Sequence, residues 1–413
     1  MNVTLVTPIR GGEITAPESK SHAVRLSFAY ALSGKTPDLI KGESFDVQAG
    51  LKCAEAVRTW LEGGSVQEVS CRESALSFRM LLPIMGALRA STDIITEGSL
   101  RGRTAKVFTD LLREHGMEIG QPEDGLYRVS GALEPGTYRL PGNVSSQFVS
   151  GLLFALPFLD GDSRIEIDGT MESKPYIRLT LDVLEKCGIE TEETESGYLV
   201  RGRQQYSIPE GLVPEGDWSG AAFWLFAGAC MDGGRKLSVK GLNTDTLQGD
   251  RAALDILDRM GAEVVVGDGS VTVSSGSLKG IMNDMSQTPD LVPAIVPAAI
   301  RAEGITVMRG ISRLSLKESD RPKAISEVLA GLGGRTERAA NMLVIPRQHL
   351  KGGTVSSFGD HRIAMMAACL RTVTERQVKV TEAEAVAKSY PDFSGTTPNL
   401  AGSWSLLNED TCY

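Results

Sequence analysis

The sequence predicts an α/β protein assembled from six similar units of about 70 residues, and three observations carry that reading. Four segments repeat a helix end, a glycine, a short polar stretch and a β-rich run: Leu112 to Gly131, Leu184 to Gly202, Leu257 to Gly276 and Leu329 to Arg347. Their glycines, Gly116, Gly188, Gly261 and Gly333, are spaced 72, 73 and 72 residues apart. A second series marks the starts of unusually apolar helices at Ser74, Ser145, Asp217, Asp290 and Asp360, in steps of 71, 72, 73 and 70. A shortened first copy begins near Ser19, in SKSHAVRLSFAYAL. The third observation is bulk: 413 residues, 41% hydrophobic and 23% charged, are enough for more than one domain with a large core.

Each unit then holds one helix that is apolar nearly all round, and therefore buried, and one amphipathic helix ending at glycine, which can face outward. Strands alternate with them. A period of this length is long for a solenoid, and two domains of three units suit the chain better. The preferred division joins residues 1-16 and 217-413 into one discontinuous domain and leaves 17-216 as the other. Hinges fall near 14-18 and 213-217, at Pro17 and Pro214. The spacing alone also fits a single elongated array.

Composition excludes several functions. No apolar run reaches the ~20 uncharged residues of a membrane span, and Met1 to Arg10 lacks the basic start and apolar centre of a signal peptide, so a cytoplasmic protein is expected. The net charge of -9 argues against a nucleic-acid partner, which needs a broad basic face. Six cysteines (Cys53, Cys71, Cys187, Cys230, Cys369 and Cys412) show no CxxC spacing and are expected to be reduced thiols. Four histidines with no pair at ligand spacing give a metal site no support.

Charge gathers instead at helix starts. Lys317-Glu318-Ser319-Asp320-Arg321 lies where a strand-like stretch, Gly304 to Leu316, gives way to a helix with apolar residues at Ile325, Val328, Leu329 and Leu332. Free N–H groups and the helix dipole favour an anion there, and Lys317 and Arg321 add positive charge. The other starts carry Lys20, Ser21 and Arg25; Arg79; Ser145, Ser146 and Gln147; Asp290; and Asp360, His361 and Arg362. Singly, any of these is an ordinary cap or a solvated charge. Together, hydroxyls and guanidinium forks favour a ligand with several negative charges, drawn by local charge against an acidic whole.

The stretches PESKSHAVR (17 to 25), ESALSFR (73 to 79), GSLRGRT (98 to 104), GNVSSQF (142 to 148), ESKPY (172 to 176), EGDWSGAAF (215 to 223), LQGD (247 to 250), TPD (288 to 290), LKESDR (316 to 321), GDHRIAM (359 to 365) and AKSYPDF (387 to 393) complete the picture. In kind and order they resemble the 3-phosphoshikimate 1-carboxyvinyltransferase (EPSP synthase) family across nearly the whole chain. The resemblance implies a two-domain enolpyruvyl-transferase-like fold, three units per domain, with buried helices inside, sheets and amphipathic helices outside, and the active site in a cleft that closes on substrate. It implies transfer of the enolpyruvyl group of phosphoenolpyruvate to the 5-hydroxyl of shikimate 3-phosphate, with loss of phosphate by addition and elimination. No metal or organic cofactor is implied, and nothing demands assembly beyond a monomer.

By the family's pattern Asp290 takes the hydroxyl proton, while Glu318 with Lys20 handles the methylene proton. Phosphoenolpyruvate is held by Lys20, Arg103, Arg321, Arg362 and Lys388 beside Ala75. Shikimate 3-phosphate is held by Ser21, Arg25, Ser145, Ser146, Ser173, Lys317 and Asp290, with Tyr176 against its ring and Gln147 between the two ligands. Apart from the resemblance, Asp290 could cap its helix and Glu318 could pair with Arg321.

Two rivals are weighed. The transferase acting on UDP-N-acetylglucosamine resembles this chain, but that family uses Lys-Asn where Lys20-Ser21 stands, and a cysteine that residues 98 to 104 lack. A catalytically impaired anion-binding homologue would not need Lys20, Asp290, Glu318 and Lys388 together. Three departures from the family pattern remain: Glu18 for a usual Gly, Arg313 for a frequent Asn, and Ala75-Leu76 for a common Gly-Thr. Ala75 adds a methyl group beside the implied phosphoenolpyruvate pocket, so bulkier mimics such as glyphosate should bind worse than to an Ala75→Gly variant. Equal inhibition of the two proteins would refute this.

Overall fold

A helix that is apolar on every side is stable only when enclosed, and the architecture follows from six such helices. The structure is a computed structural model that describes residues 1–103, 105–143 and 145–393 and the backbone of 404–405. Thr104 and Val144, within two of the quoted stretches, and Cys412 lie outside the described residues. The helices are α1 (Lys20–Leu32), α2 (Phe45–Leu61), α3 (Ala75–Ala87), α4 (Lys106–Glu114), α5 (Ser146–Ala155), α6 (Lys174–Lys186), α7 (Trp218–Gly228), α8 (Ala253–Met260), α9 (Val292–Arg301), α10 (Arg321–Gly331) and α11 (His361–Leu370). Odd-numbered helices are buried along almost their whole length, whereas even-numbered ones bury a single face. In α7, for example, Trp218, Phe223, Trp224 and Phe226 are all enclosed, each worth about 1.5–3 kcal/mol or more of apolar burial.

The chain divides into two units, each with its own hydrophobic core: unit 1 comprises Met1–Ser19 and Glu215–Tyr413, and unit 2 comprises Lys20–Pro214. Among the described residues, five four-stranded sheets share one pattern, a parallel pair followed by two antiparallel neighbours. In unit 2 the first sheet pairs Glu68–Arg72 with Thr92–Thr96, then Leu126–Gly131 and Met117–Ile119. The second runs Thr137–Pro141, Ser163–Asp168, Gly197–Val200 and Thr191–Thr194. Unit 1 repeats the pattern three times, and two of its sheets borrow strands from the N-terminus: Gly12–Thr15 lies parallel to Lys236–Lys240, and Val3–Leu5 lies antiparallel to Val378–Thr381. The shortened first copy consists of α1 and α2, with no such sheet of its own among the described residues. Residues 201–214 cover α1 instead, where the Tyr30 hydroxyl donates to Leu212 O at 2.7 Å and Lys35 Nζ to Ile208 O at 2.9 Å.

The four repeating glycines all take a left-handed backbone at the ends of amphipathic helices, with φ of 96°, 76°, 86° and 85° from Gly116 to Gly333. That conformation costs a residue with a Cβ, which accounts for the glycine at each position. The expected strand from Gly304 to Leu316 is shorter: it ends at Arg309, and Ser312–Leu316 is a 3-10 turn. Its partner strand begins at Met342, opposite Arg309, and Gly310 turns the chain at φ 72°, so no ladder continues beyond that point. Among the described residues no helix is long and apolar enough to cross a membrane. The five described cysteines are buried free thiols, with Cys53 Sγ 3.6 Å from Cys71 Sγ.

One helix crossing sets up the site. Pro83 within α3 has no N–H to give the carbonyl of Arg79 one turn earlier. Gly151 of α5 packs against that carbonyl so closely that a Cβ would sit 2.2 Å from its oxygen. Gly151→Ala must therefore push the two helices apart, an overpacking cost of about 1–3 kcal/mol that exceeds the gain in helix propensity. Calorimetry should show the melting temperature of unit 2 fall by roughly 2–12 °C; an unchanged value would contradict the close crossing.

Candidate active site

In unit 1, three helix starts are stitched together by one guanidinium. Asp360 caps α11 by accepting from Arg362 N at 2.9 Å, and the same carboxylate receives Arg321 Nε at 2.8 Å and Nη2 at 3.3 Å. Arg321, the first residue of α10, also donates through Nη2 to Glu318 Oε2 at 2.7 Å and through Nη1 to Asp290 Oδ1 at 2.8 Å. It is 1% exposed and Asp360 is fully buried. Burial works against its charge, but Asp360, Glu318 and Asp290 overcome that and raise its proton affinity above the ordinary guanidinium value.

Asp290 stands in the 3-10 turn Pro289–Leu291 that leads into α9. It does not cap that helix, because its carboxylate is turned to cations: Arg321 on Oδ1, Lys317 Nζ at 3.5 Å from the same oxygen, and Arg362 Nη2 at 3.1 Å from Oδ2. Arg362 Nη1 also reaches the Asp290 backbone carbonyl at 3.3 Å. Burial alone would raise this carboxyl, but Arg362, Lys317 and Arg321 hold it well below the usual carboxylate range. Glu318 does pair with Arg321, as an ordinary ion pair would, while sharing that arginine with Asp290. Lys388 is buried at the end of the 3-10 turn Ala383–Lys388, which packs on α11. The structure thus joins Asp290, Lys317, Glu318, Arg321 and Arg362 in one cluster.

Unit 2 carries hydroxyls and guanidiniums. Arg25 is 1% exposed and donates to Thr180 Oγ1 at 2.7 Å, Ser150 Oγ at 3.3 Å and the carbonyls of Ser21 and Tyr176 at 2.6 and 3.0 Å. All these partners are neutral, and burial pulls the Arg25 guanidinium down to about 10 against a rise from Tyr176. A buried cation held only by neutral groups favours an anion beside it. Lys20, at the start of α1, pairs with Asp46 at 3.0 Å. Arg79 donates to Ser145 Oγ at 3.3 Å and to Gln147 Oε1 at 2.7 Å, with its guanidinium 5.0 Å from the Phe148 ring centre. Ser145 caps α5 by accepting from Gln147 N, and Ser146 is buried at its first turn. Ser173 immediately precedes α6 in a left-handed conformation, φ 57°, a strained state often kept where a side chain must be aimed. Ala75 is the first residue of α3, and Arg103 follows the 3-10 turn Gly98–Gly102.

Residue type by itself points to no role for Asp46, Thr180, Ser219 or Asp250. Ser219 and Asp250 sat inside quoted stretches, and a polar residue kept within a buried helix start was the available signal. The Ser219 hydroxyl donates to the buried Asp250 carboxylate. Burial and the Asp290 charge push Asp250 up to about 6, with Asp217 adding to the rise and Arg362 and the Ser219 bond opposing it. A carboxyl raised in the fold favours its neutral form, so its stabilising contribution is complete below about pH 4 and is lost as pH rises through about 6. Asp250→Asn keeps an oxygen for Ser219 and should flatten the loss of stability across that interval. Denaturation midpoints measured through it check this; an unaltered slope would be the contrary result.

The sequence model of EPSP synthase (3-phosphoshikimate 1-carboxyvinyltransferase) matches residues 52–396. A 3-phosphoshikimate 1-carboxyvinyltransferase of Clostridium kluyveri is 34% identical over 96% of this chain and 97% of its own. Among solved structures, an EPSP synthase from Acinetobacter baumannii superposes with a TM-score of 0.80 at 22% identity, over 98% of this chain and 99% of that one. The enolpyruvyl transferase NikO from Streptomyces tendae does so at 0.72 and 17% identity, over 97% of each chain. These two establish the shared fold, and the family match and the close relative establish the kinship: the chain belongs to the EPSP synthase (3-phosphoshikimate 1-carboxyvinyltransferase) family.

Proposed function

We propose that the chain transfers the enolpyruvyl group of phosphoenolpyruvate to the 5-hydroxyl of shikimate 3-phosphate, and that the clusters described above divide the work. The hydroxyl oxygen adds to the central carbon of phosphoenolpyruvate as its proton passes to Asp290. Glu318, with Lys20, delivers a proton to the methylene carbon. In the elimination the new methyl group returns a proton to Glu318 and the adduct expels inorganic phosphate, restoring the double bond. Arg103, Arg321, Arg362 and Lys388 hold phosphoenolpyruvate beside Ala75; Ser21, Arg25, Ser145, Ser146, Ser173, Tyr176 and Lys317 hold shikimate 3-phosphate, and Gln147 serves both. In this reading the chain acts as a cytoplasmic monomer without metal or organic cofactor.

The observation that carries this reading is the Asp290 carboxylate among Lys317, Arg321 and Arg362. So ringed, Asp290 is ionised but weakly basic. Arg362 and Lys317 are also the groups assigned to substrate anions, and their turning towards a phosphate or carboxylate withdraws positive charge and makes Asp290 a better base. The neutral shell around Arg25 supports an anion in unit 2 on the same reasoning. The test is phosphate release from phosphoenolpyruvate, with and without shikimate 3-phosphate. Release should require both substrates, and Asp290→Asn should lower kcat by roughly 100- to 10,000-fold. Release without shikimate 3-phosphate, or a variant within about twofold of the parent, would overturn the assignment.

A further inference from the structure

We infer that Glu73 is a positioning residue for phosphoenolpyruvate, pinning the turn that carries Arg103. The inference rests on the proposed function, in which Arg103 holds that substrate. Two neighbouring segments, 70–74 and 96–103, are joined here. The parallel strands Glu68–Arg72 and Thr92–Thr96 shift register between Ser70 and Arg72, and Arg72 takes φ 46°, a left-handed backbone that a long side chain adopts only when its surroundings impose it. Beyond this bulge Glu97 N donates to Arg72 O at 2.8 Å and Ser70 Oγ to Glu97 Oε1 at 3.0 Å.

The turn Gly98–Gly102 has no side-chain cap from Glu97, the residue before it. Glu73 supplies one from outside: its Oε2 accepts from Ser99 N at 3.0 Å and from Ser99 Oγ at 2.8 Å. Gly98 shows how closely the carboxylate is seated, because a Cβ there would lie 2.4 to 2.7 Å from the Glu73 carboxyl atoms. The turn closes with Arg103 N donating to Leu100 O at 3.2 Å, so the backbone at Arg103 is set by the same element. Glu73 also directly precedes Ser74, the cap of α3, and Ala75. A carboxylate near the place of an anionic substrate repels it, and the two bonds to Ser99 turn that charge towards the turn's donors.

Glu73→Ala should raise KM for phosphoenolpyruvate roughly 10- to 100-fold, as expected for losing a charge-assisted pair of bonds, and leave KM for shikimate 3-phosphate within about twofold. Glu73→Gln keeps an acceptor oxygen and should restore most of the loss. Because Glu73 acts through Arg103, Glu73→Ala should add little in an Arg103→Ala background. Amide exchange at Ser99 and Leu100, faster in Glu73→Ala, reports the pin independently of turnover. An unchanged KM for phosphoenolpyruvate, equal losses for both substrates, or full additivity with Arg103→Ala would each overturn the role. If the unsubstituted chain releases no phosphate, the enzymatic reading falls and this role with it; turnover by the parent beside an unaffected Glu73→Ala overturns the role alone.

Discussion

The buried guanidinium of Arg321 is the constraint on which unit 1 depends. Removing a cation from water costs several kcal/mol, and close, hydrogen-bonded carboxylates offset that cost. Asp360, Glu318 and Asp290 do so together, and each belongs to a different local element: a helix cap, a loop and a 3-10 turn. The arginine therefore holds the proposed acid and the proposed base at fixed geometry as a condition of being buried at all. Such an arrangement is poor value as pure stabilisation, since apolar side chains would fill the same space more cheaply. Its return is a pair of carboxylates placed on one rigid donor.

How those groups reach their places follows from the repeat. An enclosed helix carries polar groups most readily at its ends, because a charge along its flank, such as Arg25, must find hydrogen-bonding partners among its neighbours. The starts of α1, α3, α5, α7, α9 and α11 accordingly collect serines, aspartates, Lys20 and Arg362. A side chain at an end is displaced by any shift of the helix behind it. Close approaches such as Gly151 on the Arg79 carbonyl thus bear on the placement of Ser145 and Gln147, which Arg79 holds.

Much of this was legible in the chain. The glycine spacing located the left-handed ends of the amphipathic helices, since only glycine takes that conformation without strain, and the all-round apolar runs located the enclosed helices. The polar residues at their starts marked where the chemistry could lie. What could not be read is which of these residues touch. Asp290 and Asp360 lie 31 and 39 residues from Arg321, and no local period relates them. That the strand ends at Arg309 and not at Leu316 is not legible either, because propensity carries no information about where a partner strand stops. Asp250 and Glu73 are illegible for a related reason: each is tied to a hydrogen-bonded serine, and residue type alone does not name that neighbour.

The N-terminal strand Val3–Leu5 has a bearing on how the molecule is made. It completes a sheet with Val378–Thr381, and Arg371 grips the carbonyl of Val6 across 365 residues of chain. Unit 2 is contiguous, so every contact in its core is available once Pro214 has been synthesised. Unit 1 must wait until its last sheet strands emerge, with Val3–Leu5 lacking its Val378–Thr381 partner until then. An early β-strand without a mate is an adhesive edge, so the order of synthesis, and not the final stability, sets the interval in which this chain is most exposed to misassembly.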